Sequence, residues 1–136
     1  MVFSVVFYLD ASIPFPVSKA LALVRDDVLY PGGPSCPITS PGAKDAEWLP
    51  VAGQYGWVVL MRDKRVRSRP GERQALLQSN VRAFVLTTAG NYSRWRTLEL
   101  LVRRWADIEE VASTDEPPYI YAVRQQGLRR IGLDSD

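Results

Sequence analysis

The chain has 136 residues, 46% of them hydrophobic, a net charge of +2 at pH 7, one cysteine and no histidine. That length predicts one domain with a core of its own, and the apolar fraction excludes a chain disordered throughout. An internal disulfide is impossible, histidine-assisted nucleophiles and most catalytic zinc sites are excluded, and no apolar stretch reaches the roughly 18 residues of a membrane span.

In chain order, Val2–Leu9 is almost wholly apolar and reads as a buried strand ending on Asp10. Ala11 to Pro16 is a turn. Val17, Ala20, Leu21 and Val24 then recur at helical spacing, so a helix to about Arg25 is expected, opened by Pro16. Asp27–Tyr30 is a short second strand. Residues 31–43 hold four prolines and three glycines and read as an irregular loop. Cys36 lies in it and reads as an ordinary loop residue, with no basic neighbour to lower its pKa.

Asp45 heads a second helix with Trp48, Val51, Ala52 and Tyr55 on one stripe, and Gly56 ends it. Trp57–Met61 is the most strand-like segment and runs into Asp63. A polar-faced helix follows over Pro70–Ser79, then a strand over Val81–Leu86. A helix from Tyr92 to Trp105 carries Trp95, Leu98, Leu101, Val102 and Trp105 on one side. Tyr119–Val123 is expected as a last, edge strand. From Leu128 onward there is little periodicity. The alternation of strands and helices predicts an α/β fold, a mainly parallel sheet of about five strands with helices on both faces, joined by right-handed crossovers. The domain is expected over 1–127, with 128–136 a C-terminal tail.

Charge is unevenly spread. Residues 1–61 hold three basic and five acidic side chains, whereas residues 62–104 hold eleven basic and three acidic, a net +8. Residues 105–136 return to a net −4, with Asp107, Glu109, Glu110, Asp115 and Glu116 expected on a solvated surface around a loop. A cationic belt that starts at Arg62, beside Asp63, suits a polyanion, and nucleic acid is the first expectation. The belt also fits a plain solvated face.

In such a fold ligand sites lie beyond the carboxyl ends of the strands. Asp10 and Asp63 then share one edge of the sheet, and Asp45 starts a helix on that same edge. Clustered carboxylates raise one another's pKa, and a divalent cation relieves the repulsion. With histidine absent, hard cations such as Mg²⁺ or Mn²⁺ are the natural partners. Each acid has a plainer alternative. Asp10 suits a turn, Asp45 a helix cap, and Asp63 an ion pair with Arg62, Lys64 or Arg65. Glu47 favours its helix dipole and is a reserve ligand.

The segments YLDASIP (8–14), DAEWLP (45–50) and GWVVLMRDKRVRSRPGER (56–73), followed by VRAFVL (81–86), resemble the PIN-like nuclease domains, most nearly their VapC-type toxin branch. The resemblance covers about residues 3–90. It implies a three-layer α/β/α fold and a Mg²⁺- or Mn²⁺-dependent endoribonuclease of a VapBC-type toxin–antitoxin pair. It further implies inhibition by a cognate antitoxin, and often a homodimer. By position Asp10, Asp45 and Asp63 would be the catalytic, metal-binding carboxylates. Related sequences often carry another acid two positions beyond the strand-end aspartate, where this chain has Arg65. A non-catalytic module that binds RNA or a protein partner is the alternative.

On this reading Arg62, Lys64, Arg65, Arg67, Arg69 and Arg73 bind RNA phosphates. Tyr92, Trp95 and Trp105 either stack on bases or, as their helical spacing favours, serve core or dimer contacts. No basic segment precedes the first apolar run, which argues against a signal peptide, and a cytoplasmic location is expected.

Overall fold

A computed structural model describes residues 5–62, 70–87 and 92–132. Its elements are β1 (Phe7–Leu9), α1 (Phe15–Val24), β2 (Val28–Leu29), α2 (Asp45–Tyr55), β3 (Val58–Met61), α3 (Pro70–Gln78), β4 (Arg82–Leu86), α4 (Arg94–Thr114), β5 (Tyr119–Arg124) and β6 (Gly127–Ile131). The strands form one sheet in the order β2-β1-β3-β4-β5-β6. All pairings are parallel except β5 with β6. The expected three-layer α/β arrangement is what the chain adopts.

The core has two halves, one on each face of the sheet. Phe7, Leu9, Val58, Leu60, Phe84 and Leu86 face α1 and α4, meeting Val17, Leu21, Leu101 and Ile108. Tyr8, Val59, Met61, Ala83 and Val85 face α2 and α3, meeting Trp48, Ala52 and Leu76. Strands buried on both faces need apolar side chains, which is why β1 and β3 read as unbroken apolar runs and β4 as one from Ala83 onward.

Three expectations are corrected. First, β5 is interior rather than an edge. The chain turns at Gly127, whose φ is +138°, and returns as β6 into the segment set aside as a tail. Its residues Arg129 and Arg130 are exposed and only Ile131 is buried, so no apolar run announces it. Its hydrogen bonds cover what would otherwise be an open strand edge.

Second, α4 runs nine residues past Trp105. Ile108 and Ala112 continue the buried stripe of Leu101 and Trp105, and Asp107, Glu109 and Glu110 lie on this helix rather than on a loop. The stripe is centred on Thr97, Leu100 and Leu101, which leaves Trp95 and Val102 exposed.

Third, α4 crosses on the face of α1, although β5 lies on the same side of β4 as β4 does of β3, whose connecting helix α3 crosses on the opposite face. The β4–α4–β5 connection therefore has the opposite hand to the others, against the usual rule. α1 alone would leave Phe84, Leu86, Tyr119 and Val123 uncovered, and α4 buries them.

Candidate functional site

The chain leaves β1 for β2 on one side and reaches β3 on the other, so the strand order reverses between β1 and β3. In open α/β sheets such a switch point opens a crevice beyond the strand ends. Asp10 stands there, one residue past β1 and 8% exposed.

Asp10 is fixed from several directions. Its backbone N–H donates to the Leu60 carbonyl at 3.0 Å, extending the ladder between β1 and β3, and its carbonyl accepts from Ile13 N–H. Its Oδ1 accepts from the Ser12 N–H at 3.0 Å and from the Ser12 hydroxyl. This is the local turn that an aspartate makes with the backbone two residues on. The turn role and a ligand role are compatible, because a carboxylate has about four acceptor positions. Ser12 Oγ in turn accepts from the Arg62 N–H at 2.7 Å, which ties the turn to the end of β3.

Asp45 is the first residue of α2, and Lys44, not Asp45, is the cap. The helix runs against the strands, so its start lies at the same sheet edge. Trp48, one turn on, packs on Tyr8 at 5.3 Å between ring centroids, and Trp57 stacks on the other side at 4.9 Å. Burial first, then Cys36, Asp10 and Asp45, hold the Tyr8 phenol well above the ordinary range. Burial likewise raises the Cys36 thiol, which makes it less reactive.

Glu47 Oε1 accepts from the Lys44 N–H at 3.3 Å, so this reserve ligand also serves the helix start. Arg62 is half-buried at the end of β3. Arg73, expected at RNA phosphates, is 6% exposed and donates to the Gly132 carbonyl at 3.4 Å. That placement ties α3 to the end of β6 and withdraws the guanidinium from the surface. Asp63, Lys64, Arg65, Arg67 and Arg69 lie outside the described residues. Among the described residues no group of three or more histidine, cysteine or acidic side chains is placed to hold a metal. Asp10 and Asp45 offer hard oxygen donors, and that chemistry suits Mg²⁺ or Mn²⁺ better than a softer ion.

Residues 5–88, more than half of the chain, match the model of a family described as a PIN like domain. The chain belongs to the PIN-like domain family. No curated protein and no solved structure gives a significant match. PIN domains are in general metal-dependent nucleases, so this PIN-like domain is a nuclease-type module. Among its described residues no helix is long and apolar enough to cross a membrane.

The aromatic residues of α4 divide. Trp105 is buried against Phe7, 4.6 Å between centroids, beneath the Arg25 guanidinium. Tyr92 carries Arg96 over its ring and accepts from Gln125. Trp95 is 68% exposed. The acidic residues are mostly paired on the surface: Asp107 with Arg104, Glu109 with Arg25, and Asp115 with Arg130 and the Tyr121 hydroxyl.

Sequence reading did not single out Ser12 or Tyr8. The spacing Asp10-x-Ser12 carried a signal for the first, since a hydroxyl two residues after an aspartate fits its turn. For Tyr8 there was none, because a tyrosine inside an apolar strand looks like any core aromatic.

Proposed function

We propose that this PIN-like domain is a metal-dependent endoribonuclease, the toxin of a VapBC-type pair. The observation that carries the reading is Asp10 held at the β1/β3 switch point with Asp45 starting α2 on the same edge of the sheet, in a chain without histidine. Asp63, two residues after β3, completes the set in sequence, with Glu47 in reserve. A bound Mg²⁺ or Mn²⁺ supplies an activated water and neutralises phosphate charge. The chain's own part is to hold the carboxylates oriented, through the Ser12 hydroxyl and the helix start, and to draw in the strand. Arg62, Lys64, Arg65, Arg67 and Arg69 serve the latter by meeting RNA phosphates on either side of the cut.

The implied partners are an antitoxin and a second copy, in the cytoplasm. Both need apolar surface. Leu23, Val24, Trp95 and Val102 supply it along α1 and α4. A non-catalytic module is the second reading, favoured by Arg65 standing where relatives often have an acid.

Expression in bacteria with and without Asp63→Asn tests the proposal. Growth arrest and RNA fragments from the unchanged chain alone support the toxin. Calorimetric titration with Mn²⁺ separates the readings: no heat up to about 10 mM, far above the range of functional divalent sites, favours the module.

A further inference from the structure

Beside Asp10 is a second feature that metal chemistry does not use. A small cleft of about 80 Å³ opens between the β1 turn, the start of α1 and the chain after β2, lined by Asp10, Ile13, Phe15, Ser18, Tyr30 and Pro41 among others. That is below the size of a pocket that encloses a whole ligand, and it leaves room for the edge of one flat ring seated from the open side. Its lining is mostly apolar, with the carboxylate to one side.

Phe15 is 55% exposed, and its ring stands at the edge of this cleft. It is also held in place. Its ring meets that of Tyr30 edge-on, at 5.4 Å and 85°, and Tyr30 is buried. Tyr30 is itself clamped: a Cβ on Gly33 would lie 2.6 Å from its ring, so only glycine fits behind it. The exposed ring is therefore presented on a rigid wall. Ser18, on α1, is 2% exposed, and its hydroxyl has no hydrogen-bond partner among the described residues. Buried hydroxyls in folded proteins are almost always satisfied, which marks this one as a place where a ligand's polar edge fits.

We propose that this cleft is a nucleobase subsite, in which a base next to the scissile phosphate of a single RNA strand stacks on Phe15 and meets the Ser18 hydroxyl with its polar edge. This rests on the nuclease reading and adds how the strand is seated. Charge decides which part of a nucleotide enters. Asp10 repels a bare phosphate, so the phosphate stays outside the cleft, and the uncharged flat base takes the apolar side. Stacking of this kind tolerates any base, and the one hydroxyl introduces preference among them.

The test is binding of a fluorescent eight-nucleotide RNA to the full chain in Ca²⁺, with a fully abasic strand of the same length as control. Phe15→Ala is expected to weaken the normal strand about 10-fold and leave the abasic strand unchanged, while Phe15→Trp restores binding. Ser18→Ala is expected to alter the order of preference among A, C, G and U strands. Equal loss on both strands, or none on either, overturns the subsite. A DNA strand forms the second arm: the same loss there supports the base as the group bound, and a loss confined to RNA supports RNA as its source. Cleavage by the unchanged chain is read separately in Mn²⁺. A chain that cuts nothing but binds with Phe15 dependence rejects the nuclease and keeps the base site. Cleavage with unaltered KM in Phe15→Ala does the reverse.

Discussion

The backbone N–H of Arg62 donates to the hydroxyl of Ser12 at 2.7 Å, joining residues fifty positions apart. The same hydroxyl donates to Asp10 Oδ1. One side chain therefore fixes both the Asp10 carboxylate and the strand end from which Asp63 follows.

Ser12→Ala removes that link without removing a ligand. Outer contacts of this kind are worth about 10- to 100-fold in metal affinity or activity. Mn²⁺ titration and RNA cleavage should both fall by such a factor, with the melting temperature changed by only a few degrees. Asp10→Asn keeps an acceptor for the turn but loses the charge, and should abolish both signals. Wild-type Mn²⁺ affinity in Ser12→Ala would show that the hydroxyl serves the turn alone.

Alkaline titration of stability reports on Tyr8. Its phenol is raised by burial and by Cys36, Asp10 and Asp45, so the folded chain keeps a proton that the unfolded chain releases near pH 10. The stabilisation is complete below that pH and is lost as pH climbs toward the folded value. The expected slope is up to about 1.4 kcal/mol per pH unit for each such group. Buried Tyr119 behaves alike. Tyr8→Phe should flatten the fall in melting temperature between about pH 10 and 11 by one proton's worth. Superposable curves would remove Tyr8 from the account.

Gly53 marks where α2 and the turn after α3 touch. A Cβ there would lie 1.9 Å from the Ser79 carbonyl oxygen. In an isolated helix Gly→Ala stabilises by about 1 kcal/mol. Here the backbone must shift, and overpacking costs typically about 1–3 kcal/mol. Gly53→Ala should lower the denaturant midpoint; a raised midpoint would contradict the close approach.

The salt dependence of RNA binding tests the arginine belt. Each phosphate that a basic side chain meets on a single strand contributes about 0.7 to the slope of log affinity against log salt. Replacing Arg67 and Arg69 with alanine should make the slope shallower by about that amount for every phosphate left without its arginine. An unchanged slope would leave these residues as solvated charges.

Sequence alone determined the elements as far as β5 and their order, because strands buried on both faces demand unbroken apolar runs and helices repeat their apolar positions every three to four residues. Those patterns are local, and with Asp10 and Asp63 following apolar runs they pointed to one edge of the sheet as the candidate site. It missed β6, whose polar residues are held by ladder bonds to β5 rather than by burial, and the full length of α4, where acidic residues on the outer face masked Ile108 and Ala112 on the inner. It assigned Arg73 to the substrate from its charge, although burial against Gly132 places it inside the fold. Tertiary structure decided what depends on distance through space: the side of the sheet on which α4 lies, the link from Ser12 to Arg62, and the packing of Trp48 and Trp57 on Tyr8. Contacts between residues tens of positions apart leave no periodic trace, since they arise only when the sheet orders its strands side by side.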